Sequence, residues 1–247
     1  MTCLLHLDAS GRPGRSGTHA HGSLTRRLTH HFVSRWNELS ENNNELCENS
    51  RDLSEHHRTI YRDVGAHPPQ PVNGEWIQAA FSSADSIEPW MEMTLSESDQ
   101  LIDEVSQSDI IVLEIPMYNF SVPSAFKAWI DNIVRIGRTF DFDPNQTDHP
   151  YTPLLSDRPR KVVLLSSRGG YGMNPGGEFA YMNHLEPSVK TALEFIGLTD
   201  MECIAVEYQE VGGDALINSL AKAEKQIDQL VERLLREIKP DFVQKAG

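Results

Sequence analysis

The chain has 247 residues, 39% hydrophobic and 23% charged, enough for a sizeable core in one large α/β domain or two small ones. Its formal net charge is −14, from 36 acidic residues against 22 Lys and Arg, which argues against nucleic-acid and anionic-membrane binders, because those present a basic face. Cys3, Cys47 and Cys203 form no CxxC pair and the ten histidines show no HExxH or His/Cys ligand spacing, so neither a disulfide framework nor a metal site is expected. Residues 1–7 carry no basic-then-apolar leader pattern and no apolar run approaches a membrane span, so the expected compartment is the cytoplasm.

The first apolar run, Cys3 to Leu7, predicts a strand. Its tail, Asp8-Ala9-Ser10-Gly11-Arg12-Pro13-Gly14-Arg15-Ser16-Gly17, runs on to Ser23-Leu24-Thr25-Arg26-Arg27-Leu28 at a helix start. Hydroxyls and unpaired N–H groups at the positive end of a helix are what a phosphate needs, though a surface loop with a Ser N-cap reads the same way. Arg12, Arg15, Arg26 and Arg27 add cationic donors, and the segment matches neither the P-loop nor GxGxxG. Leu24, Leu28, Phe32 and Trp36 recur every fourth residue and predict a helix from Leu24 to Leu39. The polar, Asn-rich stretch Glu41 to His57 reads as a loop or extension, followed by a weakly marked strand at Thr59 to Tyr61.

Helices are expected at Gly74 to Ser82 and Leu95 to Gln107, then a strand at Ile110 to Ile115. Pro116 has no N–H for the ladder and Pro123 suits a first helical turn, which leaves Met117 to Val122 as a short exposed elbow. Its Met and two aromatics suit a planar ring, and Asn119 offers both donor and acceptor; packing under a loop is the plainer alternative. A helix from Pro123 to Ile136 follows, with Phe126, Trp129, Ile130, Ile133 and Val134 on one side. After a strand at Lys161 to Ser166 comes Ser167-Arg168-Gly169-Gly170, whose glycines allow close backbone approach to a ligand. A helix at Leu185 to Ile196, a strand at Cys203 to Val206 and a helix at Asp214 to Glu237 with a long apolar stripe complete the pattern. Strands alternating with helices predict a doubly wound parallel sheet in a single domain over 1–247, with ligands beyond the carboxyl ends of the strands.

Together the three strand tails resemble the FMN-dependent NADH-azoreductases, a family of flavodoxin-like quinone reductases. The resemblance rests on Ser10, Ser23-Leu24-Thr25-Arg26, Pro116-Met117-Tyr118-Asn119-Phe120 with Pro123, Lys127-Ala128-Trp129, Gly137 with Thr139-Phe140, Ser167-Arg168-Gly169-Gly170, and Asn183-His184-Leu185-Glu186-Pro187 through Asp200. It covers nearly the whole chain and is most specific at the elbow. It implies a five-stranded α/β sheet in the order 2-1-3-4-5 with helices on both faces. It further implies FMN as a tight cofactor, NADH or NADPH as donor and a quinone or azo compound as acceptor, in ping-pong fashion. In such a protein Ser10, Ser23, Leu24 and Thr25 hold the FMN phosphate, Met117, Tyr118, Asn119 and Phe120 the isoalloxazine, and Ser167, Arg168, Gly169 and Gly170 its pyrimidine edge. The chemistry belongs to FMN, with no catalytic side chain. Family members are homodimers with the flavin at the interface.

This chain departs from the family pattern at Gly17 to Gly22, which reads as an insertion and leaves Ser16 as a rival to Ser23 for the phosphate. Ser121 and Val122 also stand where the family often has Gly-Ile. The alternatives to the enzyme are a flavodoxin-like electron carrier without NADH turnover and a relative that has lost its cofactor; the long, Arg-rich first loop speaks against a carrier.

Overall fold

The computed structural model describes residues 2–45 and 57–238. Among these residues seven strands and six α-helices follow one another: β1 (Thr2–Asp8), α1 (Leu24–Glu45), β2 (His57–Asp63), α2 (Gly74–Ala80), α3 (Pro89–Gln107), β3 (Ile110–Pro116), α4 (Ser124–Ile133), β4 (Phe140–Phe142), β5 (Tyr151–Pro153), β6 (Lys161–Ser167), α5 (Leu185–Phe195), β7 (Asp200–Val206) and α6 (Gly213–Ile238).

Five strands form one parallel sheet in the order β2-β1-β3-β6-β7, the expected 2-1-3-4-5 once β4 and β5 are set aside as a separate antiparallel pair. β3 is central and wholly buried, as a near-continuous apolar run in a sheet covered on both faces should be. One face packs on α3, α4 and α5 through Leu101, Val105, Phe126, Trp129 and Leu193. The other packs on α1 and α6, where Leu24, Leu28, Phe32 and Trp36 meet Ala223, Ile227, Leu230 and Leu234. Both periodic stripes read from the sequence therefore face the core.

Register sets the site. Asp8 pairs with both Asp63 and Glu114, and Pro116 pairs with Ser167, so the tails of β1, β3 and β6 emerge side by side. The strand order reverses at β1 and β3, which is where a doubly wound sheet opens a crevice.

Several boundaries differ from the sequence reading. The Glu41 to His57 segment is not wholly loop: α1 continues through Glu45 and His57 opens β2, while 46–56 lie outside the described residues. α3 starts at Pro89 because proline fits a first turn, whose N–H needs no acceptor. α4 ends at Ile133, not Ile136, because the Thr139 hydroxyl donates to the Ile133 carbonyl (2.7 Å) and accepts from the Arg135 N–H (2.9 Å), drawing the chain out of the helix. The β4–β5 hairpin was not anticipated; its Phe140 and Tyr151 pack against Phe195. No helix among the described residues is long and apolar enough to cross a membrane.

Candidate active site

Ser23 is the N-cap of α1: its carbonyl accepts from Arg27, and its hydroxyl takes the Arg26 N–H at 3.3 Å. The N–H groups of Leu24 and Thr25, first in the helix, have no intrahelical acceptor and donate to no other group among the described residues. The stretch Gly17 to Gly22 closes on itself rather than displacing this helix start. Ser16 N–H donates to the Ser23 carbonyl (2.9 Å) and Ser23 N–H to the Gly14 carbonyl (3.0 Å), pinching the excursion at its base. The pinch requires Gly22, since a β-carbon there would run into the Arg15 carbonyl.

Beneath this loop stands Glu114, fully buried on β3. It accepts the N–H groups of Ala9 (2.6 Å) and Ser10 (2.7 Å) at Oε2, and the hydroxyls of Ser23 (3.2 Å) and Thr25 at Oε1. Burial pushes its pKa up to about 8, with the nearby Asp8 carboxylate adding and the two backbone donors and Arg26 opposing. Alongside, the Arg26 guanidinium bridges Asp8 and Asp63 and also donates to the carbonyls of Ser10 (2.8 Å) and Arg12 (3.0 Å). Those bonds hold its pKa above the ordinary arginine value despite burial, and they draw the pKa of Asp63 down.

The elbow after β3 is a tight turn. Tyr118 N–H donates to Ser121 O and Ser121 N–H to Tyr118 O, while Asn119 and Phe120 between them have φ of 47° and 69°. Two positive φ angles make the pattern of a type I′ turn, which Asn tolerates and Phe does not. The turn tips both side chains outward, and Phe120 is 45% exposed. Tyr118 also reaches back, its hydroxyl accepting the Gly11 N–H at 3.3 Å.

A cleft of about 300 Å³ joins these parts and is lined by Ser10, Ser23, Leu24, Met117, Tyr118, Ser167 and Gly169 among the sequence-predicted residues. Asn119 lines an adjoining cavity with Tyr118. The N–H groups of Gly169 and Gly170 donate to no group among the described residues. Gly169 cannot carry a side chain without moving Glu210, because a β-carbon there would lie 2.5 Å from Glu210 Cδ.

Some expected residues fall elsewhere. Ser16 is only partly buried and does not line the cleft, and Thr25 lies wholly beneath it. The Arg168 side chain turns away, buried against Glu186, Glu207 and Asn174, so its place in the cofactor set rests on its backbone. Of the arginines read as anion donors, Arg26 is committed to Asp8 and Asp63 and Arg27 bonds Glu224, whereas Arg12 lines the cleft. Sequence reasoning missed Glu114, Gln209 and Glu210. A lone carboxylate inside the run Ile110 to Pro116 was the signal for the first, and the strand-end rule applied to β7 would have found the other two.

Fold and cleft define a flavodoxin-like α/β protein with an anion-receptive crevice at its topological switch point. The family model described as flavodoxin-like fold matches residues 4–231. The chain is 37% identical over 235 residues to "FMN-dependent NADH:quinone oxidoreductase 2" of Colwellia psychrerythraea, covering 95% of this chain and all of that one. It is 42% identical over 228 residues to "FMN-dependent NAD(P)H:quinone oxidoreductase 1" of Pseudomonas aeruginosa, covering 92% of this chain and 97% of that one. A solved FMN-dependent NADH-azoreductase of Bacillus anthracis in complex with FMN shares the fold, with TM-score 0.76 at 16% identity over 95% of this chain and 99% of that one. The chain belongs to this flavodoxin-like family of FMN-dependent NADH:quinone oxidoreductases.

Proposed function

We propose that this protein binds FMN and catalyses electron transfer from NADH or NADPH to a quinone or azo compound. The observation that carries the reading is the convergence, on one crevice, of unpaired N–H groups at a helix N-terminus, an aromatic elbow and a diglycine with unpaired N–H groups. Relatives named for this activity at 37% and 42% identity support it. Bound FMN supplies the two-electron redox chemistry.

The chain's own residues bind and orient. The Leu24 N–H with the hydroxyls of Ser10 and Ser23 would receive the phosphate at the positive end of α1, with Thr25 supporting Ser23 from beneath and Arg12 lining the same cleft. Met117, Tyr118, Asn119 and Phe120 offer an apolar and aromatic edge to the ring. The N–H groups of Gly169 and Gly170, with Ser167 beside them, would stabilise negative charge on the reduced ring. The exposed aromatics Tyr118, Phe120, Phe142 and Tyr151 suit a homodimer that shields the open side of the crevice.

The test is an absorbance spectrum of the protein with added FMN, then NADH under argon, then a benzoquinone. Bleaching by NADH and recovery of colour with the quinone is the expected result. Bound flavin that NADH leaves oxidised overturns the enzyme in favour of an electron carrier, and light scattering at monomer mass overturns the dimer.

A further inference from the structure

Glu114 is a fully buried carboxylate beneath the crevice, and neither cofactor chemistry nor ring contacts call for it. Its partners are the groups on which the phosphate depends. The Ser23 and Thr25 hydroxyls both lie against Oε1 and are 2.7 Å from each other. Each hydroxyl has a single proton to donate. While Glu114 is ionised it takes both protons, and Ser23, the hydroxyl that lines the cleft, then presents only lone pairs to an arriving anion. A phosphate dianion would meet the wrong polarity, with a carboxylate behind it that two backbone N–H groups and Arg26 offset only in part.

A proton on Oε1 reverses the chain. The carboxylic acid donates to Thr25 Oγ1, Thr25 donates to Ser23 Oγ, and the Ser23 proton points into the cleft. The two backbone donors, Ala9 and Ser10, still bond Oε2, so the loop keeps its shape. We propose that Glu114 is the positioning residue of the phosphate loop: it meets the FMN phosphate as the neutral acid, taking up a proton from solvent on docking wherever it is ionised beforehand, so that Thr25 donates to Ser23 and the Ser23 hydroxyl donates to the phosphate. The step forms an O–H bond on Glu114 and breaks none in the ligand. The inference rests on the FMN reading above.

The charges around Glu114 favour the neutral acid. From β1 comes Asp8, which accepts from His6 (2.9 Å) on the same strand and from Tyr61 of β2 (2.9 Å). From α1 comes Arg26, but its charge is shared between Asp8 and Asp63. β6 sets Leu165 opposite Glu114, and α6 packs on this face through apolar Ala223, Ile227 and Leu230. In the cleft above are Arg12 and Glu210. The carboxyl's pKa near 8 before phosphate arrives agrees with this balance, and a dianion docking above it raises it further.

The test is FMN binding to the whole protein from about pH 7 to about pH 9, where the phosphate remains a dianion. Binding is followed by fluorescence quenching, and proton uptake by calorimetry in buffers of different ionisation enthalpy. For the wild type the dissociation constant rises above about pH 8, by up to about tenfold per pH unit, and proton uptake grows from a small fraction near pH 7, where Glu114 already holds its proton, towards one near pH 9. Riboflavin, which lacks the phosphate, shows neither effect. In Glu114→Gln, whose amide donates to the hydroxyls but does not titrate, FMN affinity is flat with pH and uptake vanishes. FMN binding to the wild type at about pH 9 with no proton uptake, or a Glu114→Gln protein with wild-type pH dependence, overturns the inference and leaves the proposed function standing. No FMN binding at any pH overturns both.

Discussion

Arg26→Met is the perturbation that most directly tests how the crevice is held. The guanidinium lies on two carboxylates whose side chains are 6% exposed (Asp8) and 17% exposed (Asp63), and it bonds two carbonyls of the first loop. Removing one partner of a buried ion pair costs about 3–5 kcal/mol, because the remaining charge stays buried without compensation. Tyr61 still donates to Asp8 and the Ala66 N–H to Asp63, so the lower end, about 3 kcal/mol, is expected. Urea unfolding at neutral pH, followed by far-UV circular dichroism, measures it. The pH dependence has a definite sign. Asp63 has a depressed pKa in the folded state, so its stabilising contribution is present above the unfolded value of about 3.9 and is lost as pH falls through the folded value. The gap between wild type and Arg26→Met therefore narrows below about pH 4, where neutral carboxyls need no counter-charge. A loss under about 1 kcal/mol at neutral pH, or a gap that does not narrow in acid, would refute the reasoning.

Ser23→Ala weakens FMN binding by about ten- to a hundred-fold, one hydrogen bond to a charged group, whereas Ser16→Ala leaves it within about threefold; fluorescence titration of both variants checks the order. Gly169→Ala forces Glu210 out of place and lowers FMN affinity with little change in melting temperature; an unchanged affinity would mean that the ring does not approach this backbone. Phe120→Gly relieves a positive φ and raises the melting temperature by about 2–4 °C, as roughly 1 kcal/mol of strain does in a chain of this size, while the ring loses an aromatic contact; a lowered melting temperature counts against the strain. For the protein without FMN, Glu114 holds a proton between its unfolded value of about 4.3 and about 8 that the unfolded chain releases, so stability declines with rising pH across that window. Glu114→Gln should flatten that decline in denaturant melts.

Much of the fold was legible because its signals are local and redundant. The every-fourth-residue stripe of α1, the apolar run of β3 bracketed by Pro116 and Pro123, and the glycines after β6 each name an element from a few neighbouring residues. Together with the strand-end rule they located the crevice and most of its lining. Boundaries were harder where a distant or later group decides them, as when the Thr139 hydroxyl ends α4 or Pro89 opens α3 well before the first apolar repeat.

Only the tertiary structure chose between Ser16 and Ser23 for the cleft, because the choice depends on the excursion closing at its base through bonds between residues seven apart, from Ser16 to Ser23. It also decided the fates of the charged residues. Arg26 and Arg27 read from the sequence as donors to an anion and Arg168, by resemblance, as part of the ring site, yet the side chain of each is matched to carboxylates brought near by the sheet register or by helix packing. Glu114 is the clearest case. The chain shows a lone acid in an apolar strand, while the pairing of β1 with β3 sets that acid beneath Ala9 and Ser10, and α1 lays Ser23 and Thr25 over it. Local patterns determine which elements form, but the ionisation of a side chain depends on everything packed around it, and that is known only once the elements meet.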